Sequence, residues 1–119
     1  HVLEPLFAYL EIAQKQYEDL AYQGYYNVGP DECDCVTTGE LVTLFCDLWG
    51  DGAFWVNQHD GGPHEANFLK LDCSKIKKTF GWKPHWHIQD AIEKTIVWSK
   101  AYLAGEDMRQ VMDQQIEAY

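Results

Sequence analysis

Leu3, Leu6, Leu10, Ala13, Tyr17 and Leu20 recur at steps of three and four residues, which places them on one face of a long amphipathic helix. Pro5 falls in its first turn, where a missing N–H costs nothing, and Gly24 closes the segment. Tyr25 to Val28 is a short β-prone run ended by Gly29-Pro30, so the pattern predicts a strand and then a turn. Thr37 followed three residues later by Glu40 is a capping-box signature. Leu41, Leu44, Phe45 and Leu48 continue it as a second helix, stopped by Gly50. Phe54 to Asn57 reads as a second short strand, 58–67 as a loop around Gly61-Gly62-Pro63, and Phe68 to Leu71 as a brief third strand. Asp72 can cap a short helix running to Phe80, with Gly81 as its stop.

The strongest periodicity comes last. Ile88, Ala91, Ile92, Thr95, Ile96, Ser99, Tyr102 and Leu103 mark a helix ended by Gly105. For residues 106–119 a further helix and a disordered end are both open. The expected fold class is therefore α+β: one small helix-rich domain, 1–119, with two or three short strands.

Composition narrows the partners. Nine basic against nineteen acidic residues give a net charge of -10, which argues against nucleic acid, because phosphate binding needs clustered Lys and Arg. No apolar run approaches a bilayer span, so a soluble, cytoplasmic protein without a membrane partner is expected. Four cysteines, at 33, 35, 46 and 73, carry no secretory context, and reduced thiols are the expectation. The chain opens on His1, directly in a helical pattern with no capping residue before it, and reads as a piece of something longer.

Catalytic motifs are missing. There is no glycine-rich phosphate loop, no G-x-S-x-G elbow, and no tyrosine with a lysine four residues on. Cys33-x-Cys35 and His85-x-His87, with His59 and His64 between them, raise a small metal-binding module as an alternative; a third reading is an interaction module. Structural zinc sites space their cysteines more widely, so no metal ligand is assigned. Of the tryptophans that could line a sugar pocket, Trp82 and Trp98 read as core.

Several stretches together resemble one family. Tyr26-Asn27-Val28-Gly29 is similar to a Y-N-hydrophobic-G motif. Asp72-Cys73-Ser74-Lys75 with Phe80-Gly81-Trp82-Lys83-Pro84 is similar to a D-x-S-K…L-G-W-x-P signature. The start at His1-Val2-Leu3-Glu4-Pro5-Leu6 and the helix at Ile92–Trp98 fit as well. These resemble the NAD-dependent nucleotide-sugar dehydratases and epimerases of the extended short-chain dehydrogenase superfamily. Pro63-His64-Glu65-Ala66-Asn67-Phe68-Leu69-Lys70-Leu71-Asp72, Asn27-Val28-Gly29-Pro30-Asp31, Leu48-Trp49-Gly50 and Gly105-Glu106-Asp107-Met108 narrow the resemblance to the CDP-glucose 4,6-dehydratases.

The resemblance implies the C-terminal, substrate-binding portion of a lyase that makes CDP-4-keto-6-deoxyglucose and water from CDP-glucose, on a route to deoxy sugars of bacterial surface polysaccharides. Another nucleotide sugar is the alternative substrate. NAD and the catalytic groups would lie in a Rossmann half that this chain lacks, so the chain alone is expected to be inactive and to bind no cofactor. That half and a CDP-sugar are the implied partners, within a full-length homo-oligomer. Relatives hold the nucleotide with an arginine before a P-G segment; Gly62 stands there, so that contact does not transfer directly. The implied substrate contacts are His64 or Glu65, with Asp31 and Glu32 near the nucleotide; solvated loop carboxylates are the rival reading of the acids. Removing the Rossmann half should also bare apolar surface on the helix at 3–20.

Overall fold

A computed structural model describes residues 1–58 and 70–119. Its helices are α1 (Leu3–Glu18), α2 (Thr38–Trp49), α3 (Ser74–Phe80), α4 (Ile88–Ala104) and α5 (Met108–Glu117). Two single 3₁₀ turns, Leu20–Tyr22 and Glu32–Asp34, lie in the connection between α1 and α2. α4 packs against both α2 and α5. Among the described residues no helix is long and apolar enough to cross a membrane, and all four cysteines are free thiols.

The helix boundaries follow local chemistry. At α2 the Thr37 hydroxyl accepts from the Glu40 N–H (3.3 Å), while the Glu40 carboxylate accepts from the Thr37 N–H (2.8 Å). Two otherwise orphaned donors are thus satisfied reciprocally. Asp72 accepts from the Ser74 N–H (2.9 Å) at the start of α3. Gly81 and Gly105 end α3 and α4 in the left-handed conformation (φ 68° and 72°), which a residue without Cβ adopts at no steric cost. Asp107 receives the Arg109 and Gln110 N–H groups and opens α5.

The strands are the main correction. Among the described residues there is no strand and no sheet, so the α+β expectation gives way to an all-helical arrangement joined by extended segments. Residues 25–28 form no strand pairing among the described residues, and β propensity reports fit to a pleated surface more than an intrinsic preference. Tyr26 and Val28 pack on the core instead, and the Asn27 amide donates to the Asp72 carbonyl (3.1 Å), satisfying a backbone group as its type suggests. Residues 54–57 are irregular and exposed, with the Trp55 indole N–H donating to the Thr43 hydroxyl (3.0 Å). Of the third predicted strand, 68 and 69 lie outside the described residues, and Lys70 and Leu71 are irregular.

The core gathers Ala8 of α1, Cys73 and Ile76 of the α3 region, and Trp82, with Ile12, Tyr26, Val28 and Phe80 against them. α1 therefore buries the line Glu4–Ala8–Ile12, not the stripe its periodicity displays. Leu6, Leu10, Tyr17 and Leu20 stay exposed. Trp82 is core, as read, but Trp98 is more than a third exposed and stacks on Tyr102 (5.5 Å between centroids).

Candidate functional site

Of the four residues singled out for substrate, His64 and Glu65 lie outside the described residues. Asp31 and Glu32 come together at the turn before α2, and each meets a lysine. Asp31 pairs with Lys77 of α3, and Glu32 with Lys70. The hydrogen bond from Lys70 holds the Glu32 carboxyl below its usual range, and the one Lys77 donates to Asp31 raises the Lys77 ammonium. Pro30, Glu32, Lys70, Asp72, Ser74 and Lys77 line a polar groove of about 420 Å³. Local sequence marks neither Lys70 nor Lys77; the two meet the acids only once the fold brings 70–77 against the acidic turn.

Two buried carboxylates set the geometry beside this groove. Asp34, 7% exposed, accepts from the Ile88 N–H (3.0 Å) at the start of α4 and pairs with the His87 ring (2.9 Å). It thereby fixes the acidic turn to α4, and supplies negative charge where the helix dipole favours it. Glu4, 9% exposed, accepts from the His85 N–H (3.1 Å) and the Trp86 N–H (2.8 Å), and from the Tyr119 hydroxyl (3.0 Å). With its one proton given to Glu4, that hydroxyl accepts from His85 Nδ1 (3.2 Å). Neither clamp is visible in local sequence, since their partners stand more than fifty residues away. His85 and His87 consequently diverge from Pro84, one towards Tyr119 and the other towards Asp34.

Burial works to raise the Asp34 carboxyl, but the Ile88 N–H and the His87 ring outweigh it and leave it below the ordinary range. The hydrogen bond to Asp34 lifts His87 above its ordinary value. A raised His contributes stability that is full below its unfolded pKa, about 6.5, and is lost as pH climbs through the folded value. A depressed Asp contributes stability present above about 3.9 and lost as pH falls through its folded value. The pair thus acts most strongly between about pH 4 and 6.5. With a chelator present, the gap in unfolding free energy between wild type and H87Q should be wider at about pH 5.5 than at about pH 8.5. Equal gaps in urea denaturation at the two values would refute this.

Between Glu4 and Asp34 lies a second cavity of about 240 Å³, walled by Val28, Pro30, Trp82, Pro84 and Trp86. Among the described residues, the buried Trp82 Nε1 has no hydrogen-bond partner. A third, apolar groove of about 460 Å³ runs between α1, α4 and α5, lined by Val2, Leu3, Leu6, Trp98, Met112 and Ile116.

No protein-family model matches the chain. The chain is 39% identical over 120 residues to a CDP-glucose 4,6-dehydratase of Salmonella typhimurium, and the match takes in all of this chain and 33% of that protein. The chain thus spans about a third of the length of the curated relative it matches. The likeness to the CDP-glucose 4,6-dehydratases carried by the motifs therefore extends along the whole chain.

Proposed function

We propose that this chain is the substrate-binding portion of an enzyme that converts CDP-glucose to CDP-4-keto-6-deoxyglucose and water, with the redox cofactor held by the rest of the protein. The observation that carries this reading is the end-to-end likeness to one third of a CDP-glucose 4,6-dehydratase. NAD does not fit the residues present: the chain has neither a glycine-rich phosphate loop nor the Tyr/Lys pair, and no step of the reaction is assigned to it. Its own task is to hold the nucleotide.

The lysine groove supports that task. A chain with a net charge of -10 repels a diphosphate at long range, so binding needs positive charge concentrated at one place. Lys70 and Lys77 supply it, and they stand in for the arginine replaced by Gly62. In the free protein Asp31 and Glu32 hold the two ammonium groups in place. Exposed pairs of this kind contribute little to stability, so they can exchange a carboxylate for a phosphate oxygen at small cost. His64 and Glu65 belong to the segment immediately before Lys70 in sequence and complete the proposed set.

The remainder of the protein is the proposed occupant of the exposed face of α1. Leu6 and Leu10 stand exposed on that helix, and apolar surface gathered on one face is ordinarily covered by a partner.

A two-dimensional amide NMR titration with CDP-glucose, and with dTDP-glucose as control, tests the site. Shifts should concentrate at Asp31, Glu32, His64, Glu65, Lys70 and Lys77 and be larger with CDP-glucose. K70A and K77A should each weaken binding about tenfold, the scale of one hydrogen bond to a charged group. No shift at millimolar ligand would sink the claim that this chain carries the nucleotide contacts.

A further inference from the structure

We propose that Cys33, Asp34 and His87 form a binding site for a divalent cation of the zinc class, an inference independent of the reading above. Asp34 Oδ2 lies 2.9 Å from His87 Nδ1 and 3.7 Å from Cys33 Sγ, and the three donor atoms all fall within 4.8 Å of one another. A tetrahedral zinc ion has bonds of about 2.0 Å to nitrogen and oxygen and about 2.3 Å to sulfur, which sets its ligand atoms about 3.3–3.5 Å apart. The present separations straddle that spacing, so a cation can be enclosed by small side-chain adjustments.

The donor set selects the ion. A thiolate, an imidazole and a carboxylate suit zinc and its neighbours, whereas calcium and magnesium require oxygen ligands. The fold also orients the donors. Asp34 Oδ1 is engaged by the Ile88 N–H (3.0 Å), which leaves Oδ2 facing the other two groups. Asp34 is buried, but Cys33 and His87 are exposed, so the ion has an entry path and water can take the fourth position. Binding displaces the Cys33 thiol proton and any proton on His87 Nδ1, and forms one bond to each of the three side chains.

The sequence pairs that first suggested a metal each contribute one member. Cys35 turns away to the Asp31 carbonyl (3.4 Å), and His85 to Tyr119. A bound cation would tie the turn carrying Asp31 and Glu32 to the start of α4, stiffening one wall of the lysine groove.

Cobalt(II) is the probe. Added to the metal-free, reduced protein, it should give a near-ultraviolet thiolate-to-cobalt charge-transfer band and the visible bands of a tetrahedral ion, saturating at one equivalent and abolished by zinc. C33S should lose the charge-transfer band, H87Q should weaken binding by about 10–100-fold, and C35S should leave both unchanged. Should a variant fail to fold, wild-type protein decides the matter: zinc should protect Cys33, and not Cys46, from alkylation, read by peptide mass spectrometry. Absence of the band in wild-type protein, its survival in C33S, its loss in C35S, or alkylation of Cys33 undiminished by zinc would overturn the site.

Discussion

Replacing Glu4 with alanine should lower the unfolding free energy by about 3–5 kcal/mol, the cost of removing one partner from a buried polar network. The carboxylate accepts from two backbone N–H groups and one hydroxyl, and the substitution leaves all three without their acceptor. Both backbone donors belong to the segment that leads from Trp82 of the core into α4. The loss therefore loosens the join between core and helix as well as the bonds themselves. E4Q is the milder variant: it keeps one acceptor oxygen but turns an amide donor towards other donors, and about half the penalty is expected. Urea denaturation followed by circular dichroism measures both. A loss below about 1 kcal/mol for E4A would show that solvent already satisfies these groups.

The second large effect concerns association. The exposed stripe of α1 continues into the groove formed with Trp98, Met112 and Ile116, giving one apolar surface across three helices. For the chain on its own in solution, a second copy is the available cover. Light scattering at high concentration should give a mass above the 13.8 kDa of one chain. Introducing L6E and L10E together should restore that mass, because Leu10 is 72% exposed and Leu6 47%, so neither change disturbs the core. A wild-type protein that stays monomeric at every concentration would count against an unpartnered face.

What could be read from the sequence was what local spacing controls. The Thr37–Glu40 box acts over three residues and formed as its spacing predicts, and Gly81 and Gly105 stop their helices because only their own backbone conformation is at issue. The strand at 25–28 failed because a strand exists only with a partner, and its residues had better contacts with Phe80 and Ile76. On α1 the periodicity identified an apolar stripe, yet gave no information about which stripe this chain covers. The line it covers includes a glutamate, which no hydrophobic pattern would choose. The site divides the same way. Asp31 and Glu32 were legible as acids on a loop, but the lysines opposite them depend on α3 docking. The Cys and His pairs that raised a metal do not stay together in space: Cys33 meets Asp34 while Cys35 meets the Asp31 carbonyl, and His85 and His87 take different partners.

The Glu4 clamp has a kinetic consequence. The hydrogen bond from Tyr119 to Glu4 spans 115 residues of sequence, and that from Trp86 spans 82. Helices held by caps and i,i+4 bonds form early, since their contacts are local, whereas closing a loop of this length must precede any gain from it. The clamp should therefore be among the last contacts made and the first broken. Its removal should accelerate unfolding and leave the refolding rate almost unchanged. A single carboxylate would then act as the latch of the folded chain, governing how long it stays shut and hardly at all how fast it closes.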